Sequence, residues 1–230
     1  MLKKLLLYLI AIIIFFSFAS SAISEPEDEN YNSTINKKYL FYMHGRWIEM
    51  HGRNKTHPKH GYYEYDKIVQ YFSQEGFTVI SEARSENVDF GEYAKKVMYQ
   101  VYDLLNQGVK PKDITIIGHS KGGLITLITA SMLGEPEMNF VIMAGCGKMG
   151  TKFRRAYDKF LSRYASELSG QILSIYDADD QSAGSCQEAC DMASNGKSKE
   201  IILHTGKGHG IFYYPVSIWT KEIINWAKQK

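Results

Sequence analysis

Asp113-Ile114-Thr115-Ile116-Ile117-Gly118-His119-Ser120-Lys121-Gly122 carries a short apolar run into a glycine-flanked serine, and Leu124-Ile125-Thr126-Leu127-Ile128-Thr129-Ala130 follows at once. The first run has the length and β-branched content of a buried strand, and the second opens a buried helix. G-x-S-x-G at a strand-to-helix junction is the pattern that makes a serine a nucleophile. The reason is steric. A serine held at the tip of so tight a turn takes a strained backbone conformation, and the residues two before and two after it come close enough for side chains to collide. Glycine at 118 and 122 removes the collision. Ser120 as a plain helix N-cap would explain the serine, but not both glycines.

On either side of this elbow, apolar strands alternate with helical stretches. The pattern predicts strands over Lys38–Met43, Phe77–Ser81, Asp113–Ile117, Asn139–Ala144, Gln171–Tyr176 and Glu200–His204. It predicts helices over Tyr62–Gln74, Phe90–Gln107, Lys121–Leu133, Thr151–Leu168 and Pro215–Lys228, with Gly76, Gly108 and Gly134 as stops. Six such strands joined by helical crossovers imply an α/β fold: a mostly parallel six-stranded sheet with helices on both faces. At 230 residues and 44% hydrophobic, the chain has material for one substantial core. There is no internal repeat or low-complexity tract, so residues 38–230 are expected to form a single domain.

A serine hydroxyl needs a base to take its proton, and the base must be oriented in turn. In an open parallel sheet such groups collect at the carboxyl ends of the strands. After the Gln171–Tyr176 strand the chain reads Asp177-Ala178-Asp179-Asp180, and after the Glu200–His204 strand it reads Thr205-Gly206-Lys207-Gly208-His209-Gly210. The glycines around His209 predict a flexible loop that can swing the imidazole toward Ser120. The order serine, acid, histidine resembles the α/β-hydrolase fold family over Lys38 to the C-terminus. Gly118-His119-Ser120-Lys121-Gly122-Gly123 carries the likeness at the elbow, and Met43-His44-Gly45-Arg46 resembles the family's oxyanion loop. The leading antiparallel strands of that family are missing, which implies a reduced version of the fold.

That resemblance implies roles. Ser120 would attack an acyl carbon and His209 would move its proton. The backbone N–H groups of Lys121 and Arg46 would form the oxyanion hole. The family's habit of placing the acid a few residues past the strand end favours Asp180, with Asp179 and Asp177 as the alternatives. His119 would pack beneath the elbow, and the Lys121 side chain would face solvent. The expected activity is cleavage of a carboxylic ester or thioester by an acyl-enzyme route, without cofactor or metal. The rival readings are a non-catalytic binding protein on the same scaffold and a small serine peptidase or amidase. About twenty-five residues separate Cys146 from the next strand, enough for one helix but not for a lid domain. A small or exposed acyl substrate follows from that.

Lys3 and Lys4, the apolar run Leu5–Phe18 and Ala19-Ser20-Ser21-Ala22 read as a secretory signal peptide cleaved after Ala22, with 23–37 a loose lead-in. The run is shorter than the ~20 apolar residues of a spanning helix, so no stable membrane span is expected after cleavage, and the product is exported to periplasm or medium. Loss of two lysines from a chain of net charge +2 leaves it near neutral, which argues against nucleic acid as a partner. An exported protein can keep disulfides. Among Cys146, Cys186 and Cys190, both Cys186–Cys190 and Cys146–Cys186 are open pairings. The segment Arg46–His60 holds His51, His57 and His60 with Arg46, Arg53, Lys55 and Lys59. No carboxylate or cysteine pattern completes a metal site there. It reads as a polar excursion rimming the site, whose charge would favour anionic substrates.

Overall fold

The computed structural model describes residues 37–53, 55–193 and 195–228. The expected leader at 1–22 and residues 23–36 of the lead-in lie outside them. Six strands make one sheet: β1 (Lys38–Met43), β2 (Phe77–Ile80), β3 (Ile114–His119), β4 (Asn139–Met143), β5 (Gln171–Asp177) and β6 (Lys197–Leu203). Their spatial order is β2-β1-β3-β4-β5-β6, and every pairing is parallel. The helices are α1 (Arg46–His51), α2 (Tyr65–Gln74), α3 (Phe90–Asn106), α4 (Lys121–Leu133), α5 (Lys152–Arg163), α6 (Gln187–Met192) and α7 (Ser217–Ala227).

The strands are apolar on both faces because both faces are covered. Tyr39, Phe41 and Met43 of β1, with Phe140 and Ile142 of β4, pack under α3, α4 and α5. The intervening Leu40, Tyr42, Val141 and Met143 pack under α2 and α7, against Ile68, Phe72, Trp219 and Ile223. Helix α4 lies deepest, with twelve of its thirteen residues buried, which is why its sequence carries no polar face. Asp89 caps α3 by accepting from the N–H groups of Gly91 (2.8 Å) and Glu92 (3.1 Å).

Some boundaries differ from the sequence reading, each for a local reason. Strand β6 begins at Lys197 because it is a sheet edge, whose polar start faces water. Helix α5 stops at Arg163 and hands over to a 3₁₀ turn at Ala165–Glu167, rather than running to Leu168. The excursion 46–60 is not a plain loop. It contains α1 and one strand, Thr56–His57, which pairs antiparallel with Gly61–Tyr62 just beyond it, so α2 starts only at Tyr65. Helix α6 was not legible at all.

Cys146, just past β4, is bonded to Cys186 at the start of α6, with Cα atoms 5.3 Å apart. Cys190 is a free thiol. The bond closes a loop of sequence separation 40. Chain entropy predicts that the Cys146→Ser/Cys186→Ser variant loses about 4 kcal/mol of stability, to be read from urea unfolding, in which its less constrained unfolded chain should also steepen the slope.

Candidate active site

The register leaves the strand ends flush: Met43 lies beside Gly118, His119 beside Met143, and Leu203 beside Asp177. The loops after β1, β3, β5 and β6 therefore meet along one edge of the sheet. Between β1 and β3 the winding direction reverses, and this is where an open α/β sheet forms a crevice.

Ser120 occupies that crevice with φ 56° and ψ −118°, a left-hand conformation unusual for a residue with a side chain. The close approach expected at the elbow is present. A Cβ on Gly118 would run into the carbonyl of Gly122, and one on Gly122 into the carbonyl of Met43. The Ser120 N–H is used by the Met143 carbonyl (2.8 Å), which extends the β3–β4 pairing one residue past the strand. The N–H groups that follow open α4, where the first turn lacks intrahelical partners and the dipole is positive.

His209 sits in a 3₁₀ helix, Gly208–Tyr213, and not on the free loop that its glycines suggested. Its Nδ1 is 2.6 Å from Asp180 Oδ2. The other oxygen of Asp180 accepts from Ser182 N (2.8 Å), Ser182 Oγ (3.1 Å) and Ala183 N (3.1 Å). Burial pushes the Asp180 carboxyl up, but the His209 contact and these N–H donors outweigh it and hold it at about 2. Asp177 does something else. It accepts from Thr205 N (2.9 Å) and Thr205 Oγ1, and from Asp179 N (3.0 Å) and Gly208 N (3.3 Å). It thereby ties the loop after β5 to the loop that carries His209. Asp179 is exposed. Of the three aspartates, only Asp180 hydrogen-bonds His209 among the described residues.

Ser120, His209, Gly45 and Arg46 line one cavity of about 340 Å³. Arg46 opens α1, with its side chain exposed. His44 Nε2 accepts from Arg84 N (2.9 Å), so its Nδ1 is the protonated nitrogen and donates to the Gly45 carbonyl (2.8 Å). The Arg84 guanidinium donates to the His44 carbonyl and to Glu49 Oε2 (3.3 Å). Glu49 also receives the Lys121 ammonium, and all three side chains are buried. The Lys121 side chain thus points inward, contrary to the expectation that it faces solvent, because Glu49 and the Val88 carbonyl satisfy it there. Glu49 and Arg84 escaped the sequence reading. A single acid in Trp47-Ile48-Glu49-Met50 has no marker that separates a buried anion from a surface one.

His119 lies beside the elbow, with Nδ1 3.1 Å from the Tyr63 hydroxyl. That hydroxyl also meets Tyr42 Oη (2.8 Å) and accepts from Gly45 N (3.2 Å). Burial holds the His119 imidazole well below its ordinary range and pushes the Tyr63 phenol up to about 12, so both stay neutral. Arg53, expected to lend the site positive charge, pairs with Asp66 (3.0 Å) and lies over the Tyr65 ring. Among the described residues, no group of three or more His, Cys, Asp or Glu side chains is placed to hold a metal ion. No helix among them is long and apolar enough to cross a membrane.

No protein-family profile and no curated sequence matches the chain. Solved structures do. SOBER1 of Arabidopsis thaliana superposes with a TM-score of 0.52 at 14% identity, over 84% of this chain and 98% of its own. A dienelactone hydrolase-like protein from Klebsiella pneumoniae gives 0.55 at 13% identity, over 84% and 88%. A lipase-esterase related protein from Clostridium acetobutylicum gives 0.54 at 14% identity, over 82% and 93%. The chain has the α/β-hydrolase fold.

Two measurements test this electrostatic arrangement. Glu49→Ala leaves two buried cations without their anion and should cost roughly 3–5 kcal/mol in urea unfolding. Asp180 titrates near 2 in the fold against 3.8 for a free side chain. Its contribution to stability is therefore complete above the higher value and is lost as pH falls through the lower one. The stability gap between wild type and Asp180→Asn should narrow by roughly 2 kcal/mol between about pH 5 and pH 2.

Proposed function

We propose that the protein is a serine hydrolase that cleaves a carboxylic ester or thioester through an acyl-enzyme on Ser120. The observation that carries this is a serine at a positive-φ elbow, sharing a cavity with a histidine that is anchored through Nδ1 on a buried carboxylate. With the Nδ1 proton directed at Asp180, the Nε2 lone pair of His209 is left to receive the Ser120 proton. Ser120 Oγ attacks the acyl carbon, and the carbonyl oxygen takes up negative charge. Backbone N–H groups of Lys121 and Arg46, each at the first position of a helix, supply the donors for that charge.

Collapse of the intermediate breaks the bond to the alcohol or thiol, which leaves with the proton from His209. Water then attacks the acyl carbon as it gives a proton to His209, and the second intermediate collapses to the free acid as His209 returns that proton to Ser120 Oγ. The site's own residues account for every proton, so no cofactor is needed. Asp180 stays ionised throughout and keeps the imidazole in the useful tautomer. The cavity's size favours a small or partly exposed acyl substrate. A disulfide is consistent with a protein that works after export.

A fluorophosphonate probe reports the activated serine directly. Wild type should label and Ser120→Ala should not. Asp180→Asn should label more slowly by a thousandfold or more, on the order expected when the histidine loses its tautomer, whereas Asp179→Asn should match wild type. A wild type that fails to label would favour a binding protein on this scaffold. Turnover of amides at the rate of matched esters would favour the peptidase reading.

A further inference from the structure

We propose that the group bound beside Ser120 is a flat aromatic ring. This rests on the ester-hydrolase reading above and names its substrate class. One wall of the Ser120 cavity is made of Trp47, His51, His57, His60 and Tyr213. Ring centroids are 3.9 Å apart from His51 to Trp47, 4.4 Å from Trp47 to His57 and 4.4 Å from His57 to His60. His60 then lies 5.5 Å from Tyr213 and 6.0 Å from His209. A continuous row of rings thus leads from the exposed His51 to the imidazole of His209, which lines the same cavity as Ser120. An aliphatic group would gain only apolar contact on such a wall, whereas a flat ring can in addition pack offset or edge-on against several members at once.

The wall is held in place. Trp47 Nε1 donates to the Lys55 carbonyl (3.0 Å). His57 Nδ1 accepts from Lys59 N (3.0 Å) and His60 N (3.1 Å), which fixes that nitrogen as the unprotonated one. A side chain on Gly210 would meet His60 at 2.9 Å, so the glycine beside His209 is what lets the ring lie against that turn. Two of its imidazoles, His57 and His60, are also held away from the charged form. Burial, then the neighbouring histidines and Lys59, lowers His57 and brings His60 down to about 4. Neutral imidazoles pack with other rings as aromatic side chains do. A pre-placed wall of this kind accepts a ring at little cost in lost side-chain freedom.

The test compares benzyl acetate with cyclohexylmethyl acetate, esters alike in size and in the alcohol they release, one ring flat and the other puckered. In Ser120→Ala, which binds without turning over, benzyl acetate should bind about tenfold more tightly by calorimetry or NMR titration. In wild type, kcat/KM should favour benzyl acetate by a similar factor. That ratio should fall toward one in Trp47→Leu and drop several-fold in the exposed His51→Leu, and because both esters are read on the same protein, a general loss of activity cancels. Equal affinities in Ser120→Ala, preference for the puckered ring, or no binding of either at millimolar concentration would overturn the proposal. Preferential binding of the flat ring, in a protein that never labels with fluorophosphonate, would keep the aromatic site and sink the hydrolase reading.

Discussion

Glu49 lies between Arg84 and Lys121, with side-chain exposure of 1%, 0% and 8% in that order. An anion so far from water is tolerated only because two cations reach it, and each buried cation is in turn paired by it. The three residues come from α1, from the loop after β2 and from the first position of α4. Holding them together fixes the loop His44–Arg46 against the elbow at Ser120. Arg84 adds a bond to the His44 carbonyl, so that loop is braced from beneath as well as from its end. Two cations against one anion also leave a positive excess under the N-terminus of α4. In the proposed reaction, negative charge formed at Ser120 would meet a field of favourable sign.

Topology explains why these groups meet here. Because β1 and β3 are neighbours whose connections depart in opposite directions, a crevice forms above their ends, and Ser120 and the His44–Arg46 loop meet in it. Backbone can approach backbone there only where side chains are missing, as at Gly118 and Gly122. The remaining partners arrive from the far side of the sheet, where Asp177 fastens the two loops that bear Asp180 and His209. Asp177 is thus a support, and its neighbour three residues on touches the imidazole.

Much of this was legible in the order of residues alone. The apolar runs of β1, β3, β4 and β5 mark a sheet buried on both faces, and the two glycines around Ser120 mark the elbow. Asp180 was favoured through a family's habit, since no local feature ranks it above Asp177 and Asp179. The distinction lies in hydrogen bonds to Ser182, Ala183 and Thr205 that depend on how two loops face each other. Glu49 and Arg84 were invisible for a related reason. Periodicity reports apolar faces, and a lone buried charge has no period. Its partners are 35 and 72 positions away. The charged look of residues 46–60 hid a helical turn, because only Ile48 and Glu49 of α1 are buried. The glycines around His209 read as a loop because glycine permits many conformations; here they sit in a 3₁₀ helix, with the imidazole on Asp180.

Cys190 stands one helical turn from Cys186, with its N–H on the Cys186 carbonyl (3.1 Å). A third sulfur so near a disulfide is a route to scrambling, since an attacking thiolate could exchange partners and release Cys146. Burial raises the Cys190 thiol above its ordinary range. That keeps the thiolate scarce, and exchange proceeds only through the thiolate. The correct pairing is therefore guarded by kinetics as well as by geometry, for as long as α6 stays folded against the sheet.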